Sequence, residues 1–473
     1  MQVPHKKHSN LPKKSYLCRK IFSLTQEQAR ISELESQLRL LLEKVSQLEK
    51  ELSYYRNKKD SSNSSLPPSQ DPFRARRTES LRQPSGRKPG GQFGHKGSFL
   101  EMSSEPTEVI VHQPHYCTIC GKDLSEEQSA FLGKRQVIDL PIITPHVIEH
   151  QIYGKRCNCG HVTQGHYPGE AHSPVCYGSN IQALTAYFHA RQYIPFERLA
   201  ELYSDIFKLP ISSGSLVNMV QSFANKASGI YETIRQRVAQ SAVVGADETG
   251  TCIKGKNAWT WVFQTPQATY IHSDKSRAKS VIDQLFPQGF AQTTLVHDCW
   301  KPYFKVQAKG HQICTAHLLR ELKYLNKLYP QQQWTEDFTS LLHRALDLKK
   351  TLRAVDYLQP IQERITLEQQ LDSLLNQNIN LEYEKLITFK ERIIRYRNHL
   401  FSFLYQFEVP PDNNASERAV RTFKVKQKVS GLFRSQEGAK AFAVIRSVID
   451  TTIKNAKNIW EAIALVTMRP VTE

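Results

Sequence analysis

The sequence predicts a multidomain α+β protein: an N-terminal coiled coil, a zinc-binding β module, a helical domain, and an α/β core interrupted by a helical insertion. Three observations carry that expectation. Apolar residues near the N-terminus recur every 3.5 residues. Between 241 and 330, runs with the two-residue period of strands give way to runs of helical period. Residues 331–409 are rich in Leu, Gln, Glu and Lys and read as helix throughout.

Composition bounds the class. The 473 residues suffice for about three or four units at ~100–200 residues each. A hydrophobic share of 40% supports true cores and excludes a wholly disordered chain. No apolar run reaches the ~18 residues of a membrane helix, which excludes an integral membrane protein. Met1 to Tyr16 is polar and basic, without the apolar centre of a secretory leader. Nine cysteines, an odd number, argue against a disulfide framework and for the cytoplasm. Lys plus Arg is 63 against 45 Asp plus Glu, a net charge of +18. Residues 1–100 hold 20 of those bases and 9 of the acids, a net +11. Such an arm meets a polyanion, so the expected partner is double-stranded DNA and the expected location the nucleoid.

The elements follow in order. In 1–57, Ile31, Leu34, Leu38, Leu41, Val45, Leu48, Leu52 and Tyr55 step by 3 and 4 alternately. That stripe keeps one seam toward a partner helix, and predicts a coiled coil and a homodimer. In 58–101, Pro and Gly forbid a regular element, while Arg74, Arg76, Arg77, Arg87, Lys88 and Lys96 supply charge for phosphates. The segment reads as a DNA-binding linker, with a plain flexible linker as the alternative. In 102–175, Val109–His112 and Val147–Tyr153 read as strands, each leading into a cysteine pair. Cys117 and Cys120 form one pair, Cys157 and Cys159 the other; four thiolates complete a structural Zn²⁺ site. His112, His115 and His161 could replace a thiolate or stand behind one.

In 176–240 the chain reads as helical, and Leu209–Ser215 links two of the helices. That pattern fits a helix-turn-helix and a plain helical spacer equally, so it assigns no base contacts. In 241–330 the order reads β-β-β-α-β-β-α. A meander of three strands followed by a helical crossover seats the first and fourth strands side by side. The first ends at Asp247 and the fourth at Asp298, so the two acids are expected together. Paired carboxylates repel unless a hard cation lies between them, and Mg²⁺ or Mn²⁺ fits oxygen donors. After the insertion, 410–473 opens on Pro410 and Pro411 and an Asp/Asn run that starts a helix. Glu417 in its first turn is the third acid of a two-metal phosphoryl-transfer site. Arg418, Arg421 and Lys424 follow it as candidate phosphate contacts.

Several motifs in chain order resemble one family. They are Pro67-Pro68-Ser69-Gln70-Asp71, Arg87-Lys88-Pro89-Gly90-Gly91-Gln92, the cysteine pairs, Asp247-Glu248-Thr249, Ala316-His317 and Asp412-Asn413-Asn414-Ala415-Ser416-Glu417-Arg418. Together they resemble DDE-type transposases of the insertion-sequence-sixty-six family. The resemblance implies an RNase H-like catalytic core, Asp247, Asp298 and Glu417 as its acidic triad, a zinc module, and recognition of element ends by N-terminal regions. It extends the partners to accessory proteins encoded by the element. Family members carry Asp-Gly-Tyr at the second acid, where this chain has Asp298-Cys299-Trp300 and a later Tyr303. Adjacent strand residues face opposite ways, so only one of Asp247 and Glu248 can face the site, and the resemblance favours Asp247. His317 reads either as a phosphate contact or as a structural histidine. The implied activity is metal-dependent DNA cleavage and strand transfer. The alternatives are a dimeric zinc-containing DNA-binding regulator without catalysis and an RNase H-like nuclease acting on RNA–DNA hybrid.

Overall fold

The computed structural model describes residues 30–49, 93–94 and 100–469. The basic residues Arg74, Arg76, Arg77, Arg87, Lys88 and Lys96 lie outside the described residues. In chain order the elements are helix α1 (30–49), strands β1 (Gly154–Arg156) and β2 (Val162–Gln164), and helices α2 (Ser179–Ala186), α3 (Phe196–Phe207), α4 (Ser213–Lys226) and α5 (Ser228–Ala239). Next come β3 (Val243–Ile253), β4 (Lys256–Gln264), β5 (Thr269–Asp274), α6 (Lys279–Leu285), β6 (Phe290–His297) and β7 (Ala308–Ile313). Helices α7 (Thr315–Leu328), α8 (Gln333–Thr351), α9 (Gln362–Asn376), α10 (Glu384–Arg395) and α11 (Ser402–Tyr405) precede α12 (Asn414–Ser430), α13 (Gln436–Lys454) and α14 (Ile459–Thr467).

These elements form two compact units. The sheet unit holds β1 to β7, α2 to α6 and α12 to α14. Its five-stranded sheet has the order β5-β4-β3-β6-β7. The first two pairings are antiparallel and the last two parallel. The strand order therefore matches the expectation: β6 lies beside β3, with Gly245 opposite Val296. That is the arrangement a helical crossover from a meander produces.

One face of this sheet carries Phe263, whose ring meets Phe286 at 4.8 Å and Phe290 at 6.3 Å. On the same unit α13 lies along β5, the sheet's edge strand. Ser447 Oγ accepts from Ile271 N at 2.9 Å, and Thr451 Oγ1 accepts from Thr269 N at 3.1 Å. Tyr231 donates to Ile271 O at 2.7 Å. Side chains thus satisfy backbone groups that an edge strand otherwise presents to solvent. Helices α3 and α4 pack together: Ser212 caps α4 by accepting from Ser215 N at 3.1 Å, and Leu199, Tyr203, Ile211, Leu216 and Met219 bury together.

Two expectations are corrected here. Val109–His112 and Val147–Tyr153 are not strands; neither run has a ladder partner, and their valines and isoleucines are exposed apart from the half-exposed Ile152. A strand exists through its partner, and β-type residues alone do not supply one. The hairpin that forms is β1–β2, which frames Cys157 to His161. Strand β3 also does not end at its acids. It runs on through Thr249, Thr251 and Ile253, β-favouring residues that β4 pairs in full register.

The helical unit holds α1, Asp298–Trp300 and Cys314–Leu404. Its larger part is the expected helical insertion. Trp334 and Phe338 of α8 stack at 5.1 Å, and Phe389 of α10 meets both edge-on. Trp334 Nε1 donates to Leu374 O at 2.8 Å, tying α8 to α9. Arg397, in the turn after α10, pairs with Asp372 of α9 at 2.6 Å. No helix among the described residues is long and apolar enough to cross a membrane.

Candidate active site

Asp247 sits mid-strand in β3, half-buried, with Oδ1 accepting from Glu248 N at 2.9 Å. The N-terminus of α12 packs on the same strand. Asn413 Nδ2 donates to Ala246 O at 2.6 Å, and Ser416 Oγ donates to Asn413 Oδ1 at 2.6 Å. The approach is so close that only glycine fits at 245: an added Cβ would lie 2.5 Å from Asn413 Oδ1 and 2.6 Å from Ser416 Oγ. Gly245 and Asp247 share a face by the two-residue period of a strand. Asp247 therefore projects on the face that α12 covers, and Glu417 stands in the first turn of that helix.

Glu417 is largely buried, its side chain 18% exposed, and Arg421 Nη2 lies 3.7 Å from its Oε2. Its place in the first turn suits an anion, because the helix N-terminus carries partial positive charge. Arg418 and Arg421 are exposed beside it. Lys424 differs. Its ammonium donates to Gly250 O, pinning α12 to β3, and burial pushes its pKa down to about 8. Lys426 is buried and donates to Ile194 O at 3.3 Å, and burial likewise pushes it down to about 8. Beside it, burial first and the Lys426 charge second hold His189 well below its ordinary value.

Glu248 points to the opposite face and is fully engaged there. Arg277 donates to its Oε1 through Nε at 2.9 Å and Nη2 at 2.6 Å, and Tyr303 donates to its Oε2 at 2.5 Å. Tyr303 in turn stacks on His297 at 4.8 Å, and His297 Nε2 lies 3.0 Å from His311 Nδ1. This buried polar network separates the roles of two adjacent acids: Glu248 is bound structurally, Asp247 is on the α12 face. Sequence reasoning missed Arg277 and Tyr303 as its partners.

Asp298 follows the last residue of β6 directly and belongs to the helical unit. Its Oδ1 accepts from Trp300 N at 2.9 Å, an Asx turn that fixes the carboxylate. Within that unit α7 supplies Glu321 and α10 supplies Arg392, paired at 2.5 Å. Burial works against the Arg392 charge, but Glu321 first, through charge and hydrogen bond, and then Asp298 hold it on. Burial pushes the neighbouring Cys299 thiol up to about 12, so it stays protonated. The insertion therefore brings an arginine into the field of the second candidate acid. His317, in the first turn of α7, is half-buried.

The cysteine pairs each form a tight turn. Cys117 N donates to Lys122 O at 2.8 Å and Gly121 N to Cys117 O at 2.9 Å; Cys157 N donates to His161 O at 2.8 Å and Gly160 N to Cys157 O at 2.9 Å. Both turns close on a glycine with positive φ, 72° at Gly121 and 88° at Gly160. Backbone N–H groups of Cys120 and Ile119 lower the Cys117 thiol, and that of Cys159 lowers Cys157. Each turn brings its own two thiols together. Among the described residues no three His, Cys, Asp or Glu side chains stand together as a metal site, so the two turns are not joined.

Compared with known families, residues 174–441 match the transposase IS66 family. Residues 10–101 match a family of unknown function. No curated protein matches the chain.

Proposed function

Because the chain belongs to the IS66 family of transposases, we propose that it cuts DNA at the ends of an insertion sequence and joins the freed ends to target DNA. The observation that supports this reading is that α12, with Glu417 in its first turn, covers the face of β3 on which Asp247 projects, while Glu248 is bound on the other face. The strand order, an antiparallel meander joined to two parallel strands, supports an RNase H-like core. Asp298, immediately after β6, is the third acid of the proposed set.

Brought together, Asp247, Asp298 and Glu417 would supply hard oxygen donors, which fit Mg²⁺ or Mn²⁺ and not a softer metal. When bound, such ions polarise phosphate oxygens and make a bound water a better nucleophile. The chain's own residues do the rest. Arg418 and Arg421, exposed beside Glu417, hold backbone phosphates. Asn413 and Ser416 fix the approach of α12 and so the position of Glu417 on β3. Hydrolysis at the element end leaves a 3′-hydroxyl, and attack of that hydroxyl on a target phosphodiester releases a target 3′-hydroxyl. The basic linker with Arg74, Arg76, Arg77, Arg87, Lys88 and Lys96 contributes further DNA contacts.

The same reading assigns Zn²⁺ to Cys117, Cys120, Cys157 and Cys159. Its support is the pair of glycine-closed turns, each presenting two thiols. Binding would have to bring the turns together, so metal and local folding are coupled. A homodimer formed through α1 would hold two element ends together.

The test uses a plasmid carrying the gene with its native flanks. The purified chain with Mg²⁺ cuts at the flanks, and EDTA stops it. Asp247→Asn, Asp298→Asn and Glu417→Gln each reduce cutting by more than about 100-fold, since even residues behind metal ligands are worth 10–100-fold. Flank binding, read by gel shift, persists in all three. A variant that still cuts at the native rate removes its residue from the site, and flank binding without metal-dependent cutting by the native chain favours a DNA-binding regulator.

A further inference from the structure

Helix α1 spans 30–49, and every side chain along it is exposed. Ile31, Leu34, Leu38, Leu41, Val45 and Leu48 lie between 49% and 60% exposed. Six apolar residues in a/d spacing without cover require a partner helix. With Ile31, Leu38 and Val45 at the a positions, Leu34, Leu41 and Leu48 fall at d. Two β-branched residues among the a positions and leucine at every d is the pattern of a parallel two-stranded coil.

The flanking charges select the same arrangement independently. The g positions are Arg30, Gln37 and Lys44; the e positions are Glu35, Leu42 and Glu49. In a parallel, in-register pair each g residue meets the e residue five positions on in the other chain. Arg30 then meets the partner's Glu35, Gln37 the partner's Leu42, and Lys44 the partner's Glu49. By symmetry the two-chain coil holds each ion pair twice. An antiparallel pair sets g against g and e against e. Within 30–49 the g row is basic or neutral and the e row acidic or neutral, so that arrangement makes no opposite-charge pair. Shifting a parallel pair by one heptad loses pairs and uncovers part of the seam.

We infer that α1 docks on α1 of a second copy of this chain, parallel and in register, with Arg30–Glu35 and Lys44–Glu49 as the pairs that set orientation. This rests on the homodimer proposed above and deepens it. A parallel coil sends both following linkers from the same end of the coil. The two basic arms then start side by side, which suits holding two DNA ends in one complex.

Cross-linking of the full chain tests it. In the Leu34→Cys variant a parallel pair brings residue 34 of both chains across the seam. Mild oxidation then yields a covalent dimer, and peptide mass mapping places the new bond between the two copies of position 34. The unmodified chain, oxidised alongside, reports bonds from the native cysteines. In an antiparallel pair, position 34 faces Val45, so a mixture of Leu34→Cys and Val45→Cys chains would instead give a 34-to-45 bond. That bond overturns the orientation and leaves the dimer standing. A monomer by sedimentation of the native chain overturns the dimer itself, and with it this inference. Charge reversal gives a second reading: Lys44→Glu weakens self-association about tenfold, and Lys44→Glu with Glu49→Lys restores it. No rescue by the double variant counts against the pairing.

Discussion

Buried lysines set the chemistry of α12 at the scale of single residues. Lys426 is enclosed without a carboxylate partner among its hydrogen bonds, which go to the carbonyls of Tyr193 and Ile194 and to His189 Nδ1. Its pKa is about 8 when folded, against 10.5 for an ordinary lysine. Between those values the unfolded chain holds a proton that the folded chain has released, so stability rises with pH across that window. The rise from Lys426 is of the order of 3 kcal/mol. In Lys426→Met, the gain in unfolding temperature between pH 8 and 10 should be visibly smaller than in the native chain. His189 acts in the same sense at lower pH: it stays neutral when folded, so stability is lost as pH falls below its unfolded value near ~6.5. Thermal unfolding across pH 5 to 10 measures both. Asp247 and Glu417 drew attention in the sequence because each stands in a short local motif. The Glu248 partners were not, because Arg277 and Tyr303 lie 29 and 55 residues away and nothing in a linear pattern announces a pairing at that range.

Elements were legible where one rule fixes their neighbours. The meander and helical crossover left one sensible place for β6, and it lies there. The runs at 109–112 and 147–153 had the right residues and no partner, and composition cannot distinguish those cases. The role of α13 was also hidden, since its serine and threonine look like ordinary helix-surface residues. In fact Ser447 is wholly buried and satisfies the outward N–H of Ile271. Removing it in Ser447→Ala leaves that N–H without its acceptor, at a cost of about 1–3 kcal/mol. Denaturant unfolding should show that loss with an unchanged slope. A loss below about 0.5 kcal/mol would mean that the edge does not depend on α13.

At the scale of the whole molecule, charge decides how DNA is met. The net charge of +18 is concentrated toward the N-terminus, and the arm's excess was evident from composition alone. Each phosphate contact releases counterions and steepens the salt dependence of binding by about 0.9 in the log–log slope. Replacing Arg74, Arg76, Arg77, Arg87, Lys88 and Lys96 with glutamine should therefore lower that slope by about 5. An unchanged slope, measured by fluorescence anisotropy from 50 to 300 mM salt, would remove the arm from the DNA contacts. The two-unit grouping was only partly visible beforehand: the helical content of the insertion reads from sequence, but the assignment of Asp298 to its unit does not.

The dependence of β5 on α13 also has a meaning during synthesis. Roughly 180 residues separate the end of β5 from the end of α13. A ribosome adding ~5–20 residues per second takes roughly 10–40 s to make that stretch. Over that interval the nascent sheet has its edge strand β5 but not the helix α13 that covers it. Ribosomes that stall or terminate in the insertion would release a protein with an exposed, ladder-ready border, prone to join other such fragments. Truncated copies of this gene should thus yield insoluble products, because the N–H groups of Thr269 and Ile271 find their acceptors in its final fifth.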